Sequence, residues 1–154
     1  MPAPPADASL PTDALQEAIV AEFSALESWD ARYRHLIELG RRLPAFPQTL
    51  HDDNHLVRGC QSQVWMHVTL SDQGYIQLIA DSDALIVRGL VALLLRIYSD
   101  QTPETILATR PTFIERIEMS RHISMQRANG LAAMIKQIQL YALAFQLQRA
   151  QQGS

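Results

Sequence analysis

The stretch QVWMHVTLSDQGYIQLIA (Gln63–Ala80) decides the fold of this chain. Its first half alternates two sets of side chains, Val64, Met66, Val68 and Leu70 in one and Gln63, Trp65, His67 and Thr69 in the other. Because successive side chains of a β-strand point to opposite faces, this alternation predicts a strand with one buried face. The segment Ser71–Gly74 predicts a turn, and Tyr75–Ala80 alternates again, so the stretch predicts an antiparallel hairpin.

Helical patterns flank the hairpin on both sides. Apolar residues recur every three or four positions, as in amphipathic helices. The predicted helices are one capped at Thr12 or Asp13 and running to about Leu26, Ala31–Arg42, Ala84–Tyr98, a short one from Pro103, Thr112–Glu118, and a long one from Ser124 to about Gln148. The segment Leu56-Val57 is expected to add a short strand. Helices around a small antiparallel sheet of about three strands predict the α+β class.

Two details of the helices carry structural expectations. Asp81 and Asp83 resemble a carboxylate pair for acid–base chemistry, but their position before a strongly apolar helix favours capping of its free backbone amides. Gly89, inside that helix, costs about 1 kcal/mol of helix propensity, which predicts close packing against another element. In the last helix the expected inward-facing residues are Leu131, Met134, Ile135, Ile138 and Leu140.

Composition bounds the classes of protein to which this chain can belong. Its 154 residues suit one domain, expected over 12–150, after a flexible lead-in over 1–11. A net charge of −3 gives no electrostatic reason to bind nucleic acid or anionic membrane. The N-terminus lacks the basic and apolar regions of a secretory signal. With a single cysteine, this predicts a cytoplasmic protein.

That single cysteine, Cys60, is the main chemical candidate. It cannot close an internal disulfide, so it is a buried apolar filler, an intermolecular partner or a reactive sulfur. Gly59 permits tight turning, and the polar run Gln61–Gln63 suits a presented thiol better than a core one. Arg58 is a nearby charge that can favour the thiolate. Residue chemistry alone leaves the buried and the reactive interpretations open.

Other chemistry finds less support in the sequence. A hydrolytic thiol needs an imidazole within hydrogen-bond reach, and no local signature pairs Cys60 with a histidine. His51 and His55 have the spacing of helical metal ligands, but Pro47 and the run HDDN predict a loop with solvated histidines. The glycines are isolated, with no phosphate-cradling loop.

Three segments together carry a family resemblance. They are HLVRGCQSQVW (His55–Trp65), DSDALIVRGLVALLL (Asp81–Leu95) and YSDQTPETIL (Tyr98–Leu107). In this combination they closely resemble the SufE family of sulfur-acceptor proteins, over about residues 29–138. One departure is ISMQRANGL (Ile123–Leu131), where Met125 stands in place of a proline that family members often carry. This leaves the helix cap at Ser124 but puts the local loop geometry in doubt.

The resemblance implies a function for Cys60. In the family, the matching cysteine accepts persulfide sulfur from a pyridoxal-phosphate cysteine desulfurase, of the SufS or CsdA kind, and stimulates that enzyme. The sulfur then passes toward iron–sulfur cluster assembly, with a scaffold complex as a further partner. The protein itself needs no cofactor and no metal.

The resemblance also implies a fold and a supporting site. The fold expected is similar to that of IscU-type scaffolds, with the cysteine at a loop tip. Supporting loop or partner contacts are expected at Gly59, Gln61, Asp83 and Arg127. A Cys-dependent hydrolase and an iron–sulfur scaffold with Cys60 as a ligand are the alternatives.

Overall fold

The structure is a computed structural model that describes residues 10–152. Its helices and strands follow the predicted order. They are α1 (Pro11–Ser24), α2 (Trp29–Arg41), β1 (Val64–Leu70), β2 (Ile76–Ser82), α3 (Leu85–Tyr98), α4 (Pro103–Ala108), α5 (Phe113–Arg116) and α6 (Met125–Gln152). The α+β class is therefore confirmed. The expected lead-in over 1–11 lies outside the described residues except for its last two, of which Pro11 already belongs to α1.

The hairpin forms as the alternation predicts. Strands β1 and β2 pair antiparallel from Val64↔Ser82 to Leu70↔Ile76. In the described part of the chain this sheet has two strands, not about three. The segment expected to form the third strand makes one isolated bridge, Leu56↔Trp65, because the chain turns away from the sheet directly afterwards.

Helix α3 lies at the centre of the fold, packed against the sheet and against α2. The crossing of α2 and α3 depends on glycine. A Cβ atom on Gly89 would lie 2.3 Å from the carbonyl oxygen of Leu36, and one on Gly40 would lie 2.8 Å from the amide nitrogen of Gly89. The close packing expected at Gly89 is thus confirmed, and the backbones of the two helices touch where the side chains are missing.

The start of α1 differs from the prediction. The helix begins at Pro11 after an N-cap at Leu10, whose amide donates to the carboxylate of Asp13 at 2.8 Å. Neither Thr12 nor Asp13 is the N-cap. Thr12 is instead fully buried, and its hydroxyl shares a 2.7 Å hydrogen bond with that of Thr109. A threonine hydroxyl can cap a helix, but that of Thr12 is engaged in a tertiary hydrogen bond instead.

The predicted capping role of Asp81 and Asp83 is also wrong. Helix α3 begins at Leu85, and its N-cap, Ala84, provides no side-chain hydrogen bond. Asp81 remains within β2, where its carboxylate pairs with His51 at 3.0 Å and with Arg88 at 3.5 Å. The sheet extends to Ser82 and so keeps Asp81 within β2, while the carboxylate of Asp83 accepts from the amide of Gln63 at 3.1 Å instead of from the amides of α3.

The long helix α6 buries one face. Leu131, Met134 and Ile138 are buried as expected, and Ile135 is partly buried. Leu140 is 50% exposed, so its predicted inward position is wrong. Two residues rotate a helix by about 200°, which places Leu140 opposite Ile138. The predicted cap is confirmed, because the Ser124 hydroxyl accepts from the amide of Arg127 at 3.2 Å.

Within residues 10–152, no helix combines the length and apolar character needed to span a membrane.

Candidate functional site

Cys60 lies at the tip of a loop that leaves the sheet and returns to it. The base of the loop is closed by the amide of Val57, which donates to the carbonyl of Val64 at 2.8 Å. One step earlier, Met66 donates to the carbonyl of His55 at 2.8 Å. Gly59 then turns the chain with a φ of +93°, a conformation that glycine adopts without strain. The loop, here called the Cys60 loop, comprises residues 58–63.

Ser82, the last residue of β2, and Asp83, which follows it, fasten the returning leg of the Cys60 loop. The Asp83 carboxylate accepts from the amide of Gln63 at 3.1 Å, and the Ser82 hydroxyl donates to the Gln63 carbonyl at 2.8 Å. The amide of Asp83 donates back to the same carbonyl at 3.3 Å. Asp83 therefore anchors the base of the loop through Gln63 and makes no hydrogen bond to the described residues of its tip.

The tip of the loop rests on α6. The Cys60 thiol donates to the Gly130 carbonyl at 3.5 Å, and within residues 58–62, all of them described, this is the one hydrogen bond. A Cβ atom on Gly130 would lie 3.5 Å from Cys60 Sγ, and one on Gly59 would lie 3.2 Å from the Cβ of Ala133. Small residues of α6 thus allow the loop tip to lie directly on the helix.

A cavity of about 260 Å³ opens beside the thiol. It is lined by the Cys60 loop, by α3 and by the first turns of α6. Its lining residues are Cys60, Gln61, Ser62, Val87, Leu90, Ser124, Gln126, Arg127, Gly130 and Met134. Val87, Leu90 and Met134 belong to the buried core, whereas Ser124, Gln126 and Arg127 are exposed. The cavity therefore has an apolar floor and a polar rim.

The electrostatic setting keeps the resting thiol neutral. Cys60 is partly buried, and burial raises the pKa of its thiol above the ordinary value. Arg58, which the sequence suggested as a charge that favours the thiolate, does not offset this effect. Since the thiolate is the nucleophile, Cys60 in this position is held in a weakly reactive form.

The histidines of the preceding loop, predicted from the sequence to be solvated, are partly buried and hydrogen-bonded. The ring of His51 forms a 3.0 Å hydrogen bond with the carboxylate of Asp81. It also packs at a tilt against the ring of Trp65, with the ring centroids 4.4 Å apart. His55 is bonded to Asp52 at 2.7 Å and to His67 at 3.2 Å. Their loop folds back onto the hairpin, which partly buries both rings. In residues 10–152, no three His, Cys, Asp or Glu side chains are grouped to hold a metal ion.

The structure brings together most of the residues proposed from the sequence. Cys60, Gln61 and Arg127 line one cavity, and Gly59 turns the chain beside them. Asp83 does not reach the cavity and acts at the base of the loop.

Ser124, Gln126, Gly130 and the apolar floor border the thiol although no pattern in the sequence connects them with Cys60. The one signal in the sequence was Gly130 itself, because an isolated glycine within a helical pattern indicates close packing or a functional site.

Two comparisons bear on this arrangement. A family model described as "SufE: Fe-S metabolism associated domain" matches residues 17–142. A solved structure described as the solution structure of a hypothetical protein from Thermus thermophilus is 20% identical in sequence, with a TM-score of 0.72. That match covers 86% of this chain and 96% of the other, and it shows that the two share a fold.

The family match spans the hairpin, the Cys60 loop and most of α6, and so includes every residue of the cavity. The chain therefore belongs to the SufE family, whose domain is associated with Fe–S metabolism.

Proposed function

We propose that this protein is a sulfur carrier that accepts persulfide sulfur from a cysteine desulfurase onto Cys60. The observation that carries the proposal is the placement of the sole cysteine. Its thiol lies at a loop tip, partly buried against Gly130 and open to a cavity. A carrier needs one thiol that a partner can reach and that is protected between encounters.

The transfer is an exchange between a thiol and a persulfide. The Cys60 thiolate attacks the outer sulfur of the desulfurase persulfide. The sulfur–sulfur bond of that persulfide breaks, the desulfurase cysteine leaves as a thiolate, and Cys60 becomes a persulfide. No net oxidation occurs, and the rate depends on the thiolate fraction and access, as in thiol–disulfide exchange.

The geometry of the loop supports a displacement of its tip when the partner binds. Three hydrogen bonds hold Gln63 at the base, whereas one weak thiol–carbonyl hydrogen bond holds the tip. Lifting the tip from α6 removes the burial that raises the thiol pKa, so the same movement exposes and activates Cys60. Removal of the persulfide sulfur returns the desulfurase cysteine to its thiolate form, and this stimulates the enzyme.

The partner desulfurase supplies the pyridoxal phosphate, and this protein acts as a sulfur-transfer protein, not as an independent enzyme. The sulfur passes on to an iron–sulfur scaffold complex, and the proposed location is the cytoplasm. Gln61 and Arg127, exposed beside the thiol, are the proposed partner contacts.

The test is an incubation with a purified cysteine desulfurase and cysteine, followed by intact mass measurement. The wild-type protein is expected to gain one sulfur atom, and the gain is expected to disappear on treatment with a reducing thiol. Cys60→Ser is the matched control. Acquisition of labelled sulfur by Cys60→Ser, or stimulation of the desulfurase by that variant, would overturn the proposal.

The two alternatives find less support in this site. A Cys-dependent hydrolase needs a base beside the thiol, but the hydrogen-bond partner of Cys60 is the Gly130 carbonyl, and no histidine is among the described residues that line the cavity. A cluster scaffold usually needs several thiolates, and this chain has one cysteine.

A further inference from the structure

We propose that the cavity beside Cys60 binds a low-molecular-weight thiol that bears a carboxylate, and that this thiol takes sulfur from the Cys60 persulfide. The inference rests on the proposed function, since it concerns the sulfur-loaded form of the same cysteine. The small thiol is then a second class of sulfur acceptor, beside the scaffold complex.

The cavity is larger than a persulfide on Cys60 requires. A persulfide adds one sulfur atom to Cys60, and that atom needs about the room of a water molecule, ~30 Å³. The cavity measures about 260 Å³, so a persulfide leaves most of it empty. Pockets for drug-sized ligands begin at roughly 300 Å³, which makes this one suitable for a molecule of amino-acid size.

The rim of the cavity carries a positive charge. Arg127 is the one charged side chain among the described residues that line the cavity, and it has no ion pair within residues 10–152. A guanidinium presents a donor fork that matches a carboxylate. The hydroxyls of Ser62 and Ser124 add neutral polar groups nearby.

The floor of the cavity is apolar. Val87, Leu90 and Met134 form an apolar surface on which a short alkyl chain can pack. Such a chain would join a carboxylate at the rim to a thiol group beside the sulfur of Cys60. Cys60 and Arg127 border the same cavity, so one small molecule can contact both. These features together favour a short, anionic alkyl thiol over a neutral one.

The sulfur transfer balances without an added oxidant or reductant. The thiolate of the small molecule attacks the outer sulfur of the Cys60 persulfide. A new sulfur–sulfur bond forms on the small molecule, the bond to Cys60 Sγ breaks, and Cys60 leaves as a thiolate that takes a proton from water. The small molecule becomes a persulfide, and the resting thiol of Cys60 is restored.

The test compares two thiols that differ at one end, 3-mercaptopropionate and 3-mercaptopropanol. Cys60 is first loaded with inorganic polysulfide and the added sulfur is verified by intact mass, so the experiment does not depend on a desulfurase. The rate of sulfur loss is then measured against thiol concentration at equal thiolate concentration. The carboxylate thiol is expected to react faster, by about fivefold, as one exposed ion pair allows, and to show saturation.

Variants locate the effect at the rim of the cavity. Arg127→Gln is expected to abolish the advantage of the carboxylate thiol, and Arg127→Lys to keep part of it. Arg34→Gln removes an exposed charge on α2 and is expected to change nothing. Equal rates for the two thiols in the wild type, or an advantage that survives Arg127→Gln, would overturn the inference. If desulfurase loading fails while the preference persists, the proposed function alone is wrong.

Discussion

The thiol of Cys60 and the carbonyl of Gly130, 70 residues apart in the sequence, form a 3.5 Å hydrogen bond that joins the tip of the Cys60 loop to α6. A Cβ at Gly130 would lie 3.5 Å from the sulfur, an ordinary van der Waals distance, so the loop tip leaves room for a methyl group there but not for a large side chain. The resting state of the proposed sulfur carrier depends on this contact and on the helix packing behind it, and both can be tested by substitution.

Gly130→Leu should expose Cys60. The added side chain occupies the place of the loop tip, so the docked arrangement loses its hydrogen bond and its packing against α6. One such hydrogen bond is worth about 1 kcal/mol, which corresponds to roughly a three- to tenfold faster alkylation of Cys60 by iodoacetamide. Ala132→Leu, an exposed position on the same helix, serves as the matched control. Unchanged alkylation in Gly130→Leu contradicts the docking of the loop tip on α6.

The alkylation of wild-type Cys60 should depend on pH with a midpoint above that of an ordinary thiol. Burial disfavours the thiolate and raises the pKa of the docked Cys60. The stabilisation from the docked, neutral thiol is therefore complete below the unfolded pKa and is lost as the pH rises through the folded pKa. The control is the same pH series in denaturant, where the midpoint should fall. Coincident midpoints would refute the effect of burial.

Asp83→Ala should loosen the base of the Cys60 loop. The carboxylate accepts the amide of Gln63, while Ser82 still holds the Gln63 carbonyl, so the loss is partial. We expect a fall of about 1 kcal/mol in the free energy of unfolding and a roughly threefold faster alkylation of Cys60. Asp72→Ala, at the exposed hairpin turn, removes the same charge elsewhere. Equal effects of the two variants would show that charge alone matters.

Gly89→Ala should destabilise the fold strongly, whereas Gly130→Ala should not. A methyl group at Gly89 would lie 2.3 Å from the Leu36 carbonyl oxygen, so the backbones of α2 and α3 must separate. Overpacking of this kind costs about 1–3 kcal/mol or more. At Gly130 the nearest atom is 3.5 Å away, and alanine is the better helix former. Denaturant unfolding compares the two, and a similar midpoint for both variants contradicts the packing described.

The local patterns of the sequence predicted the hairpin and most of the helices because their causes are local. Alternation produces a strand, and spacing of three and four produces a helix, whatever the neighbours are. The predicted caps and helix boundaries were wrong where a tertiary contact uses the side chain that was expected to cap the helix. Thr12 forms a hydrogen bond with Thr109, and Asp81 forms ion pairs with His51 and Arg88. Neither side chain therefore caps a helix.

By itself, the sequence determined that Cys60 has no partner for an internal disulfide, that a flexible polar segment carries it, and that the chain resembles one family over most of its length. The tertiary structure decided how the thiol rests. Gly130, Arg127 and the apolar floor come from elements far from Cys60 in the chain, and their meeting depends on how α3 and α6 pack. Burial, and with it the raised pKa, is a property of that packing, which no local pattern of residues encodes.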